Sequence, residues 1–218
     1  MWRRLFSKPA EAAPPDARLT PELRARIQAS FDESAQDEEH FPSTIDPRIY
    51  HVKLLQEHLG PLNGKRVLDV GCGKGRFARL FQEQEPSAEM WGLDISEEML
   101  RYVPSGIRTQ AGSMTDMPFA AGFFDAAYAT ESLEHAVEIE KAVAEMCRVV
   151  KTRGRIAIID KNAEQWGKLA TPEWERWFTR GELERLLRKH CREVSSRFIS
   201  YWEDVEPDGL FLAWLAVK

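Results

Sequence analysis

Val67-Leu68-Asp69-Val70-Gly71-Cys72-Gly73-Lys74-Gly75 is the stretch whose reading decides the fold. Its first half is a short apolar run. Its second half is a G-x-G-x-G loop that opens a segment of helical spacing, Arg76 to Gln84. A strand, a glycine loop and a helix in that order predict a ligand-binding loop at the carboxyl end of a buried strand. Glycine lets the chain turn sharply there and lets a ligand reach the backbone. The spacing is not the G-x-G-x-x-G of dinucleotide loops, because Arg76 stands where the third glycine would be. An acid, Asp69, lies two residues before the first glycine.

Working outward, strand-like and helix-like segments alternate. Strands are expected over Glu89 to Asp94, Ile107 to Ala111, Phe124 to Ala129 and Arg155 to Asp160, and helices over Glu97 to Tyr102 and Glu138 to Val150. Short turns between them imply parallel pairing through right-handed crossovers. A helix from the Thr179 cap to about His190 is followed by two strand-like runs, Glu193 to Trp202 and Leu210 to Val217, with no helix between them. Two such runs make an antiparallel pair at a sheet edge. The fold class is therefore α/β, a Rossmann-like doubly wound sheet, mostly parallel, with helices on both faces. Upstream, Thr20-Pro21 starts a helix to about Ser30, Asp32 to Glu39 reads as an acidic loop or short helix, and a second helix fits Pro47 to Leu59.

Asp94 closes the second predicted strand on the same carboxyl edge as the glycine loop. A carboxylate there can accept both hydroxyls of a ribose. The plainer role for Asp94 is to cap the helix that follows.

The chain has 218 residues, 43% of them hydrophobic, which one domain with a full core accounts for. A net charge of -5 argues against a nucleic-acid partner held through its phosphates. The three cysteines, Cys72, Cys147 and Cys191, are far apart in sequence and lack any metal spacing. They imply a reducing, cytoplasmic setting with neither disulfides nor a metal site. No apolar run approaches the ~18 residues of a membrane span. Residues 1–20, rich in Ala and Pro behind a short basic start, read as a flexible tail. Residues 21–62 read as a helical cap, and 63–218 as the main domain.

Val67 to Gly75, Trp91 to Ser96, Gly112 to Phe119 and Phe124-Asp125, in that order, resemble the successive motifs of class I S-adenosylmethionine-dependent methyltransferases. Glu131 to His135 and Arg148 to Arg155 resemble the branch that methylates small molecules, quinone precursors included. The resemblance covers about residues 50–218. It implies a seven-stranded sheet with an antiparallel last strand, S-adenosylmethionine as cofactor, S-adenosylhomocysteine as product and a small-molecule acceptor. By position, Asp69, Gly71, Cys72 and Gly73 border the methionine and ribose parts, Asp94 holds the ribose hydroxyls, and Ile95 packs on the adenine. Ser113, followed by Met114, stands where the family often has an acid for the adenine amino group. A hydroxyl accepts that bond without charge assistance. Thr130 and Glu131 are expected near the reactive sulfonium. His135 is expected on the same face as Glu131 if the segment is helical, as a catalytic group or a packing residue.

Substrate contacts are expected outside the common core, from Tyr50 and its neighbours His51 and Lys53, and from Asp160, Lys161 and Trp166. Trp174, Trp177 and Phe178 also fit a helical face packed on the core. Methyl transfer to protein or RNA is the first alternative. A partner subunit that binds the cofactor without transferring is the second. A nicotinamide-dependent reductase is disfavoured by the glycine spacing.

Overall fold

A computed structural model describes residues 18–218; the basic start and most of the expected tail, residues 1–17, lie outside the described residues. The glycine loop sits as the sequence predicts, between strand β1 (Arg66–Val70) and helix α3 (Arg76–Gln84). Upstream lie α1 (Pro21–Ser34) and α2 (Tyr50–Leu59). Downstream follow β2 (Glu89–Asp94), the single-turn α4 (Glu97–Leu100), β3 (Arg108–Ala111), β4 (Phe124–Thr130) and α5 (Ile139–Val149). The chain ends with β5 (Val150–Lys161), α6 (Arg180–Leu187), β6 (Glu193–Ile199) and β7 (Phe211–Val217).

The seven strands form one sheet in the order β3-β2-β1-β4-β5-β7-β6. The first five are parallel neighbours, and β7 runs antiparallel to both β5 and β6. The order reverses beside β1, which opens a crevice at the carboxyl ends of β1 and β4. Side-chain alternation sends Leu68, Ala127, Ile158 and Trp214 to one face, with α5 and α6, and Val67, Tyr128, Ala157 and Phe211 to the other, with α2 and α3. Each large side chain buried this way contributes about 1.5–3 kcal/mol. Both faces are covered, as a parallel sheet requires.

The elements depart from the sequence reading in a few places. α1 runs to Ser34 rather than Ser30 because its apolar stripe continues through Phe31 and packs with Leu23 and Ile27 against Val137, Trp174 and Ile95. α2 starts at Tyr50, not Pro47, since Asp46 accepts the Arg48 N–H in a turn, 2.9 Å. β5 begins directly where α5 ends, at Val150. Trp174, Trp177 and Phe178 are buried, but on an irregular segment whose Phe178 bridges Asn162 rather than on a helix. The cysteines are not all far apart in space: Cys147 Sγ lies 3.8 Å from Cys191 Sγ, both thiols free and buried.

Candidate functional site

A cleft opens at the carboxyl edge of the sheet. Gly71, Cys72, Gly73, Asp94, Ile95, Ser113, Met114, Thr130, Glu131 and His135 all line it. Ten of the positions singled out in the sequence, spread from 71 to 135, thus meet around one space. Asp69 does not reach it. Buried directly beneath, its carboxylate accepts the Tyr128 hydroxyl, 3.0 Å, and burial pushes its pKa up to about 7.

Gly71 and Gly73 both have positive φ, 70° and 52°. A side chain on Gly71 would lie 2.5 Å from Ser132 Cβ, whose hydroxyl donates to the Val70 carbonyl at 2.7 Å. A side chain on Gly73 would meet nothing within 4 Å. Gly71 is therefore required by close packing, whereas Gly73 keeps the cleft itself clear.

Asp94 is held from the backbone. Gly73 N–H donates to Oδ2 at 2.7 Å and Ser96 N–H to Oδ1 at 2.9 Å. Capping and ligand roles are compatible, because each carboxylate oxygen keeps a second acceptor site. Burial pushes the Asp94 carboxyl up, and these backbone donors work against that rise. Ser113, also buried, exchanges a bond with the Thr115 hydroxyl, 2.8 Å.

The loop after β4 is strained. Glu131 and Val137 have φ of 50° and 59°, a region that costs non-glycine residues about 1–3 kcal/mol. Leu133–His135 is a single 3-10 turn, so Glu131 and His135 do not share a helical face. The Glu131 carboxylate instead accepts the Tyr201 hydroxyl at 3.1 Å and pairs with Arg76 at 3.3 Å. Burial alone would raise its pKa, but Arg76, Lys161 and the Tyr201 bond outweigh burial and hold it low. His135 is kept neutral, its pKa pushed down to about 4 by burial.

Tyr50, Asp160, Lys161 and Trp166, expected against the acceptor, are not among the lining residues. The physical reason is local in each case. Tyr50 N–H donates to the Tyr201 carbonyl, 2.8 Å, behind the loop, and Trp166 packs edge-on against Trp177. His51 is buried and stacked on Tyr201, and Lys53 pairs with Glu203. Asp160 accepts the backbone N–H groups of Lys161 and Glu134, and the Lys161 ammonium pairs with Glu134 and, at 3.6 Å, Glu175.

What the sequence reading missed is the outer wall. Leu19, Ile27, Phe31, Phe41 and Pro42 close the cleft opposite the glycine loop. The i, i+4 spacing of Leu19, Leu23, Ile27 and Phe31 was the available signal. Lys74, inside the glycine loop, straps this wall down by donating to Glu38 at 2.7 Å, and Ser96 does the same to Asp32 at 2.6 Å.

A parallel sheet that ends in an antiparallel pair, with an acid and a glycine loop at its crevice, defines a class of adenosyl-cofactor-binding proteins. Residues 68–158 match the family described as "Methyltransferase domain". The malonyl-[acyl-carrier protein] O-methyltransferase of Methylococcus capsulatus is 34% identical over 106 residues, which is 46% of this chain and 38% of that protein. The ubiquinone/menaquinone biosynthesis C-methyltransferase UbiE of Bordetella parapertussis is 30% identical over 159 residues, covering 69% of this chain and 60% of the relative. A solved structure described as the [4+2]-cyclase SpnF superposes with a TM-score of 0.73 at 18% identity, over 97% of this chain and 98% of its own. The chain belongs to the class I S-adenosylmethionine-dependent methyltransferase family. It spans less than two thirds of the length of these two relatives.

Proposed function

We propose that this chain transfers a methyl group from S-adenosylmethionine to an oxygen, nitrogen or carbon atom of a small-molecule acceptor. The observation that carries the reading is Asp94, a buried carboxylate fixed by the Gly73 N–H at the floor of a cleft that Gly73 leaves clear. The residues present fit the cofactor. Asp94 has acceptor sites left for two ribose hydroxyls, Ile95 and Met114 offer apolar surface for an adenine, and the Ser113 hydroxyl stands beside them. The bound cofactor supplies a methyl group already activated on a positively charged sulfur.

The chain's own part is alignment and exclusion of water. Thr130 and Glu131 face the cleft at the end of β4, where a low-pKa carboxylate favours a cationic ligand. Leu19, Ile27, Phe31, Phe41 and Pro42 suit an apolar acceptor. His135 and His40 are polar groups beside that wall, the His135 ring edge-on to Phe31 at 5.1 Å. A neutral imidazole there can take a proton from the acceptor as the methyl group arrives. Residues 21–62 serve in this reading as a cap on the 63–218 domain, and the protein works in the cytoplasm on a free small molecule. No helix among the described residues is long and apolar enough to cross a membrane.

Calorimetric titration with S-adenosylmethionine and S-adenosylhomocysteine, with NADH as control, tests the cofactor assignment. Micromolar binding of the first two supports it, and binding of NADH alone sinks it. His135→Ala is expected to lower turnover by about 10²–10⁴-fold while leaving cofactor affinity unchanged. Normal turnover in the variant would reduce His135 to a wall residue.

A further inference from the structure

Behind the His135 wall lies a cluster that methyl transfer does not use. Glu134, Asp160, Glu175 and Lys161 are all buried side by side. Lys161 donates to Glu134 Oε1 and lies 3.6 Å from Glu175 Oε1, and Trp177 Nε1 donates to that same Glu175 oxygen at 2.6 Å. Asp160 is taken up by two backbone N–H groups. This leaves the second oxygen of Glu134 fully buried with no hydrogen-bond partner, although Glu134 itself is 0% exposed. His135 Nδ1 is likewise buried without a partner and points towards Glu175 Oε2, 4.0 Å away. Native interiors carry only a few such atoms per hundred residues, and here two, from adjacent residues, meet in one cluster.

We propose that Glu134, His135 and Glu175 form a site for one divalent first-row metal ion such as Zn²⁺ or Mn²⁺. One donor atom from each residue lies within 4.8 Å of the other two. Tetrahedral ligands at about 2.0–2.1 Å from zinc stand about 3.4 Å apart, so the three donors draw together on binding. One imidazole and two carboxylates are a donor set that zinc and manganese accept.

Formal charge points the same way. With all three carboxyls ionised, the single ammonium leaves the cluster two negative charges in excess, and uncompensated buried charge is costly, so the cluster must take up protons or a cation. A divalent ion cancels the excess. An organic cation is a poorer fit, because His135 stands between the cleft and the carboxylates and Lys161 already supplies the ammonium.

The site does not depend on the methyltransferase reading, and neither does its test. Chelator-stripped protein is titrated with Zn²⁺ alone, and stoichiometry is read by elemental analysis after desalting. About one ion per chain is expected. Glu175→Gln and His135→Asn should each weaken binding more than about 100-fold, since even partners one bond beyond the ligands are worth about 10–100-fold. Co²⁺ should give a visible absorption band that His135→Asn removes. Circular dichroism of both variants separates lost ligation from lost folding, and either folded variant suffices. Wild-type protein that takes up no more Zn²⁺ than the folded variants overturns the site. If the ion also takes part in transfer, chelation abolishes turnover, and turnover unaffected by chelation overturns any such role.

Discussion

Asp94→Ala is expected to bind S-adenosylmethionine at least about 100-fold more weakly than the wild-type chain. Two charge-assisted hydrogen bonds to ribose hydroxyls are worth about 1.5–3 kcal/mol each, and about 1.4 kcal/mol is a factor of ten in affinity. The substitution also strips an acceptor from the Gly73 and Ser96 N–H groups, so the glycine loop loses its tie to the end of β2. Some loss of stability will accompany the loss of affinity. Asp94→Asn separates the two, since its amide oxygen keeps one backbone acceptor while the charge is gone. Calorimetry on both variants, read beside their thermal melts, makes the check. A folded Asp94→Ala that binds the cofactor as tightly as wild type refutes the ribose assignment.

Asp94 illustrates how much the sequence could disclose. A strand of alternating burial, an acid at its end and a glycine loop one strand over are local patterns, each written in consecutive residues. The same holds for the antiparallel pair, betrayed by two strand-like runs with no helix between them. The crevice follows from strand order, and ten of its lining positions are legible because each lies at or just beyond the carboxyl end of a strand. The site's outer parts obey no such rule. The i, i+4 spacing of Leu19, Leu23, Ile27 and Phe31 marks an apolar face, but that this face lies across Val137 and Trp174 at the cleft is written in no local pattern. Tyr201 bonds Glu131 across seventy positions of chain. Glu134 and Glu175 meet at Lys161 because an irregular segment, whose Trp174, Trp177 and Phe178 also fit a helical face, folds back over the 3-10 turn after β4. Lys161 stands where a substrate contact is expected, beyond a parallel strand. β5 runs on to include it, however, and that carries the ammonium into the interior.

That burial makes Lys161→Met the substitution with the largest expected cost to the fold. Methionine nearly matches the length of the lysine stem, so packing against Trp177 is largely kept and the charge alone is removed. Breaking a buried ion pair by deleting one partner costs about 3–5 kcal/mol, because the remaining charge stays buried and uncompensated. The cost must depend on pH. Burial and mutual repulsion push Glu134 well above its ordinary pKa, and burial pushes Asp160 up as well. A carboxyl whose pKa is higher folded than unfolded binds more protons in the native state. Its contribution to stability therefore falls as pH rises above the unfolded value near 4. In the wild-type chain Lys161 opposes that fall. Its own pKa is raised by Glu134, Glu175 and Asp160 against the effect of burial, so the ammonium persists throughout the neutral range. Without it, both carboxyls climb further and the fall steepens. Urea unfolding of metal-free wild type and Lys161→Met at pH 5 and pH 8 should show a small difference at the lower pH and the full loss at the higher. Adding Glu134→Gln to Lys161→Met should recover much of the loss at pH 8, since the amide keeps the shape and removes one of the stranded charges. Little loss at either pH value would mean that the lysine contributes through its stem alone, which methionine keeps. The cluster would then hold its carboxyls protonated, and a proton rather than a metal ion would be what balances it.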